Sequence, residues 1–334
     1  MADQPTRDFS EALLHIVTGK GGTGKTTIAA SLALALASRG KNVLLCEVEG
    51  RQGIAQVFDI PPLPYEERLI ARGAQAGHGD VYAIAIDAEA ALLEYLDMYY
   101  RLGRAGKALD RFGVIEFATT IAPGVRDVLL TGKVYEAAKR NARNKGARTY
   151  DAIVLDAPPT GRIAQFLNVN DELAGLAKVG PIKNQADTVM TLMHSERTAV
   201  HLVTILEEMP VQETIDGVTE LHAHGLPVGA VIVNLVRPQD LDAEDRAALL
   251  DGTVDEAILA ARLKEAGLTA TPELLDVLMA EGRDHAVRRK LEDAQRERLN
   301  RAEAPIYELP RLAGGADLTG IADLAEALCE QGLI

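Results

Sequence analysis

Short, nearly unbroken apolar runs recur along the chain at residues 12–17, 43–46, 81–87, 150–156, 200–205, 231–234 and 306–310. Runs of this length without polar alternation are the pattern of strands covered on both faces, as in a parallel sheet. Between them lie stretches of helical character. An alanine- and leucine-rich segment spans 28–37, and Arg39-Gly40-Lys41 stops it. A mainly helical region runs from 88 to about 145, broken at Pro123-Gly124, and another runs from about 163 to 196. A charged helical segment occupies about 240–304, with Arg288-Arg289-Lys290 in mid-run, and a closing helix covers 321–328. Strands that alternate with helices predict an α/β fold, a doubly wound and mostly parallel sheet. The chain reads as one domain over 1–334, with a helical subdomain contributed by about 88–145 and 168–196.

The stretch with the most chemistry follows the first strand. It is Gly19-Lys20-Gly21-Gly22-Thr23-Gly24-Lys25-Thr26-Thr27, and the first helix comes directly after it. Strand, glycine loop and helix in that order form the context in which G-x-x-x-x-G-K-[ST] marks a phosphate-binding loop. Glycines lack a Cβ, so successive N–H groups can turn toward one centre. The helix start adds its free N–H groups and its positive dipole end. Gly21, Gly22, Thr23, Gly24, Lys25, Thr26 and Thr27 are the expected nucleotide-binding segment. Lys25 can reach the β- and γ-phosphates, and the Thr26 hydroxyl can ligate Mg²⁺. Asp156 closes a buried strand and runs into Ala157-Pro158-Pro159-Thr160-Gly161-Arg162. In a P-loop protein, that carboxylate is the expected partner of Mg²⁺ through its water shell.

Composition narrows the partners. A formal charge of −14 argues against nucleic acid or an anionic membrane as the main partner. Hydrophobic residues make up 47% of the chain and aromatics only 4%, so the core is one of Ala, Leu, Val and Ile. No apolar stretch approaches the roughly 20 residues of a transmembrane helix, and the first ten residues are not a signal pattern. Cytoplasmic location is expected, without direct membrane insertion. Cys46 and Cys329 are the only cysteines, too few for a disulfide framework or a Cys-rich zinc site. ATP or ADP with Mg²⁺ are the expected ligands; neither zinc nor an iron–sulfur cluster is.

Lys20 adds a resemblance. K-G-G-x-G-K-T-T resembles the "deviant" P-loop group, and Asp156-Ala157-Pro158-Pro159-Thr160-Gly161-Arg162 with Phe166-Leu167 looks like the switch II of arsenical-pump and tail-anchored-protein targeting ATPases. Ile86-Asp87 with Glu94-Tyr95, Ala122-Pro123-Gly124, Glu213-Thr214 and Val233-Asn234 with Pro238 recur at similar order and spacing in that family. The resemblance spans nearly the whole chain. It implies an ATPase that works as a dimer, opening and closing around ATP, with Lys20 reaching the partner's phosphates. It also places Asn234 at the adenine, and Pro310 and Leu312 in the loop that closes over the base.

The departures carry equal weight. The family's switch I reads D-P-A-H-S, and the aligned residues here are Glu49-Gly50-Arg51-Gln52-Gly53. Glu49 is then the candidate for positioning the attacking water. It is one methylene longer than aspartate, and a small misplacement can cost a hundredfold in rate. The zinc-binding C-x-x-C pair of the eukaryotic targeting factor and the thiolates of the arsenical pump have no counterpart. Two readings follow: an ATPase whose dimer cycles with nucleotide, as a homodimer or with a paralogue, or a nucleotide-binding regulatory subunit that pairs with an active paralogous ATPase. A protein client is left open by two apolar helical stretches: Val189, Met190, Leu192 and Met193, and Tyr95, Met98, Tyr99 and Tyr100. A partition or septum-site ATPase is disfavoured, since residues 317–334 carry no Lys or Arg.

Overall fold

The structure, a computed structural model, describes residues 7–100, 124–140, 147–176 and 181–334. In chain order the elements begin β1 (Leu14–Gly19), α1 (Lys25–Ser38), β2 (Val43–Glu47), α2 (Gly53–Val57), β3 (Arg68–Ala71), β4 (Val81–Ala85), α3 (Ala88–Tyr100), α4 (Val125–Lys139) and β5 (Ala152–Asp156). They continue α5 (Thr160–Leu176), α6 (Pro181–Met193), β6 (Thr198–Thr204), α7 (Glu208–Ala223) and β7 (Val228–Val236). The last are α8 (Ala243–Asp251), α9 (Glu256–Glu265), α10 (Pro272–Leu299), β8 (Ile306–Pro310) and α11 (Leu318–Glu330).

One sheet of eight strands runs in the order β3-β4-β2-β5-β1-β6-β7-β8. Every pairing is parallel except that of β3 with β4. The central strands β1, β2, β5 and β6 are buried along their full length, which is why their sequences show no polar alternation. Alternate residues feed two cores. Val17, Val43, Leu45 and Val154 face α1, α2 and α11, while Ile16, Leu44, Cys46 and Leu155 face α4, α5, α6 and α7. Helices on both faces make the sheet doubly wound, as the alternation predicts.

The strand β3 lies outside those expectations. It is short, sits antiparallel at the sheet edge and exposes Arg68 and Leu69, so it has no apolar run to announce it. Residues 243–299 form three helices rather than one run. Asp242, Asp255 and Thr271 cap them by accepting from the Asp245, Ala257 and Leu274 amides respectively. Helices α8 and α9 bury no residue, and α10 buries only Ala286, Arg289, Glu292 and Leu299. The motif positions Ala122 and Pro123 lie outside the described residues, as do the side chains of Tyr95, Met98, Tyr99 and Tyr100. Among the described residues no helix is long and apolar enough to cross a membrane.

Candidate functional site

The chain reverses direction across the sheet at β1, which lies between β5 and β6. In an open α/β sheet, ligands bind outside the carboxyl ends of the strands at such a point. Residues 19–27 leave β1 there and turn into α1. Gly24 is the N-cap of α1 at φ 92, and a Cβ on it would meet Asn234 Nδ2 at 2.4 Å. At Gly19 a Cβ would lie 2.2 Å from the Val203 carbonyl oxygen. These two positions require glycine for space as well as for conformation.

Thr26 and Asp156, the two candidates for the Mg²⁺ site, lie side by side. The Thr26 hydroxyl donates to Asp156 Oδ2 at 2.6 Å. Burial pushes the Asp156 carboxyl up to about 6, with Glu47 and Glu49 adding to the rise; the Thr26 hydrogen bond and Lys25 pull it back. Lys25 is largely buried, and burial lowers its ammonium while Asp156 and Glu49 oppose that. Its Nζ reaches the Lys20 carbonyl at 3.5 Å, and the Thr23 hydroxyl donates to the same oxygen at 2.9 Å. A hydroxyl and a carboxylate beside a buried lysine are hard oxygen donors of the kind magnesium takes, one or two protein ligands with the remainder from water and phosphate. The residues fit that ion. Among the described residues no group of three or more His, Cys, Asp or Glu is placed to hold a metal by side chains alone.

The other sequence candidates separate into those at the P-loop and those beside it. Lys20 Nζ lies 2.9 Å from Glu213 Oε2 of its own chain, a contact that joins the P-loop to α7. Glu49 sits after β2 with Oε2 3.6 Å from Arg51 Nε. Asn234 is buried, donates from Nδ2 to the Thr23 carbonyl at 3.0 Å and accepts from the Leu235 amide at 2.9 Å. Its carboxamide therefore braces the P-loop backbone in this structure, a role that spacing in the sequence does not announce. Pro310 pairs with Val236 at the neighbouring strand end, and the Arg311 amide donates to the Val236 carbonyl at 2.8 Å. Leu312 packs at the edge of the α1 core. Asn234 and the 310–312 loop thus share one corner of the sheet. Val189, Met190, Leu192 and Met193 are buried, and all but Met190 belong to the core beneath α5 and α7, so this stretch offers no exposed groove.

The sequence places Glu47 in the acidic turn that ends β2 but assigns it no role. It ends β2 as Asp156 ends β5, in register with it, and its carboxylate accepts from the Gly53 and Ile54 amides. The same signal that singles out Asp156, a carboxylate closing a buried strand, was available at Glu47.

A strand, a glycine-rich loop and a helix, with Thr26 set against a strand-end aspartate, define the class: an α/β protein of the P-loop nucleotide-binding type. The sequence pattern of the anion-transporting ATPase family matches residues 13–195 and 182–250, and the chain belongs to that family. It is similar to an ATPase called BagA of Mycobacterium tuberculosis, 51% identical over 329 residues that span 98% of this chain and 96% of the relative. A putative arsenical pump-driving ATPase of Chlorobaculum tepidum is 26% identical over 282 residues, 70% of this chain and 62% of its own. The ATPase GET3 of Kluyveromyces lactis is 27% identical over 263 residues, 69% and 73% of the two chains.

Proposed function

We propose that this chain, as one P-loop domain with a helical subdomain, binds ATP with Mg²⁺ at residues 21–27, hydrolyses it, and uses the cycle to join and release two protomers in the cytoplasm. The observation that carries this reading is the 2.6 Å contact of Thr26 with Asp156 beside the buried Lys25. Phosphoryl transfer requires mostly positioning and neutralisation of charge. Lys25 would leave the Lys20 carbonyl for the β- and γ-phosphates, and the P-loop amides would surround them. Thr26 would ligate Mg²⁺ directly and Asp156 through water; when bound, the ion neutralises the phosphate oxygens. Glu49 would orient the attacking water. Lys20, held by Glu213 in the single chain, would turn to the phosphates of a second protomer. The partner would be a second copy or a paralogous ATPase, and a protein client remains part of the proposal.

A second reading has its own observation. Glu49 faces Arg51 at 3.6 Å, an arrangement that draws the candidate carboxylate off its task. A regulatory subunit that binds nucleotide and leaves hydrolysis to a paralogue would tolerate that. The name of the arsenical pump relatives does not extend to this chain through thiolate chemistry. Cys46 is buried, with its thiol pushed up by burial, and Cys329 lies on α11.

Steady-state ATP turnover decides between the two. The Lys25→Ala and Glu49→Gln variants are expected to lose at least tenfold in kcat. Parent turnover no higher than that of Lys25→Ala defeats the enzymatic reading.

A further inference from the structure

Glu47 is 2% exposed. Its Oε1 accepts from the Gly53 N–H at 3.2 Å and its Oε2 from the Ile54 N–H at 3.3 Å. These are the first two amides of α2, a helix whose N-cap residue, Gln52, makes no side-chain cap. Gln52 is held in the left-handed region at φ 57, and its carboxamide exchanges two hydrogen bonds with the Leu63 backbone, at 2.7 and 3.1 Å. A non-glycine residue persists there only when its surroundings over-determine it. Glu47 on one side and Leu63 on the other supply that constraint.

The same carboxylate borders the metal end of the P-loop. Glu47 lies in register with Asp156, and both belong to the sheet face that α1 covers. Gly53 abuts the P-loop itself, since a Cβ there would stand 3.1 Å from Thr26 Cγ2. Among the described residues the Glu47 carboxylate has no ion-pair partner within 4.0 Å. Lys25 offsets the charge of Asp156, but a second buried carboxylate on the adjacent strand end, held only by amides, favours a further cation there.

We propose that Glu47 is a positioning residue: it anchors the 49–57 segment, Glu49 included, through the first amides of α2, and it adds a second negative charge beside Asp156 where Mg²⁺ is wanted. The proposal rests on the nucleotide reading above. It assigns one side chain to couple the ion's site to the segment that carries the candidate water-positioning residue.

Hydrogen–deuterium exchange and ADP titrations with and without Mg²⁺, on the parent, Glu47→Gln and Glu47→Asp, test it. In the nucleotide-free protein, both variants are expected to exchange at least tenfold faster at the Gly53 and Ile54 amides. Without Mg²⁺ the ADP affinity of both is expected within threefold of the parent. The gain in ADP affinity on adding Mg²⁺ is expected to shrink at least fivefold in Glu47→Gln and to survive in Glu47→Asp, which keeps the charge and loses the reach. Parent-like exchange, or a parent-like Mg²⁺ gain in Glu47→Gln, overturns the proposal. A parent that binds no ADP under any condition refutes the nucleotide reading instead, with the exchange result still deciding the anchor.

Discussion

Asp156 shows how far burial and charge compete at single residues. Its carboxyl, ordinarily near 3.8, is pushed up to about 6 mainly by burial. The folded state therefore holds the proton more firmly than the unfolded chain, and stability falls as pH rises from about 4 through 6. Above pH 6 the ionised group costs the metal-free protein on the order of 2–3 kcal/mol, since each tenfold change in proton affinity is worth about 1.4 kcal/mol. Mg²⁺ would offset that cost. Asp156→Asn keeps an acceptor for the Thr26 hydroxyl and removes the charge. Its thermal midpoint at pH 7.5 without metal is expected to exceed the parent's by a few degrees, while the Mg²⁺-dependent gain with ADP disappears. A lower midpoint together with an intact gain would contradict this. Thr26 and Asp156 were legible because each obeys a local rule of spacing or strand position. The bracing role of Asn234 and the Lys20 contact with Glu213 were not, because both join residues about two hundred positions apart.

Among the elements, β1 and β6 carry a buried histidine pair. His15 Nδ1 lies 3.2 Å from His201 Nε2, and the Ala230 amide donates to His201 Nδ1 at 3.2 Å. The amide fixes the tautomer: His201 carries its proton on Nε2 and donates it to His15 Nδ1. Burial lowers His15 to about 4 and His201 well below its ordinary 6.5. Both are neutral when folded, so the unfolded chain binds more protons between pH 6.5 and 4, and stability falls as pH falls through that window. Asp156 works in the opposite direction there, but it is one group against two. Melting curves at pH 7.5 and 5.5 are expected to show a drop for the parent that is at least halved in His201→Asn, whose amide can still accept from Ala230. An equal drop in both would remove the pair from the account. The strands themselves were readable because burial on both faces leaves unbroken apolar runs. β3 was not, since an exposed edge strand of four residues has no such signature. The divisions at Asp242, Asp255 and Thr271 were present in the sequence as capping residues, within a segment whose charge obscured them.

At the scale of the molecule, the sheet places the P-loop, Glu49, Glu213 and Asn234 at one end, the end where the strands deliver their carboxyl termini. Lys20 is the residue through which that end would meet another protomer. Light scattering on the Glu49→Gln variant, which should hold ATP unhydrolysed, is expected to show the mass of two chains with Mg-ATP and of one without. Adding Lys20→Ala is expected to abolish the association and leave ATP binding within threefold. A single-chain mass throughout would leave only the paralogue as partner. Beneath these questions lies the binding of nucleotide itself, and the thermal midpoint with and without saturating Mg-ATP tests it most directly. A ligand at a hundred times its Kd adds about 2.7 kcal/mol, roughly 4 °C for a domain of this size. The account predicts that rise for the parent and none for Lys25→Ala; a parent midpoint unmoved by Mg-ATP would contradict it.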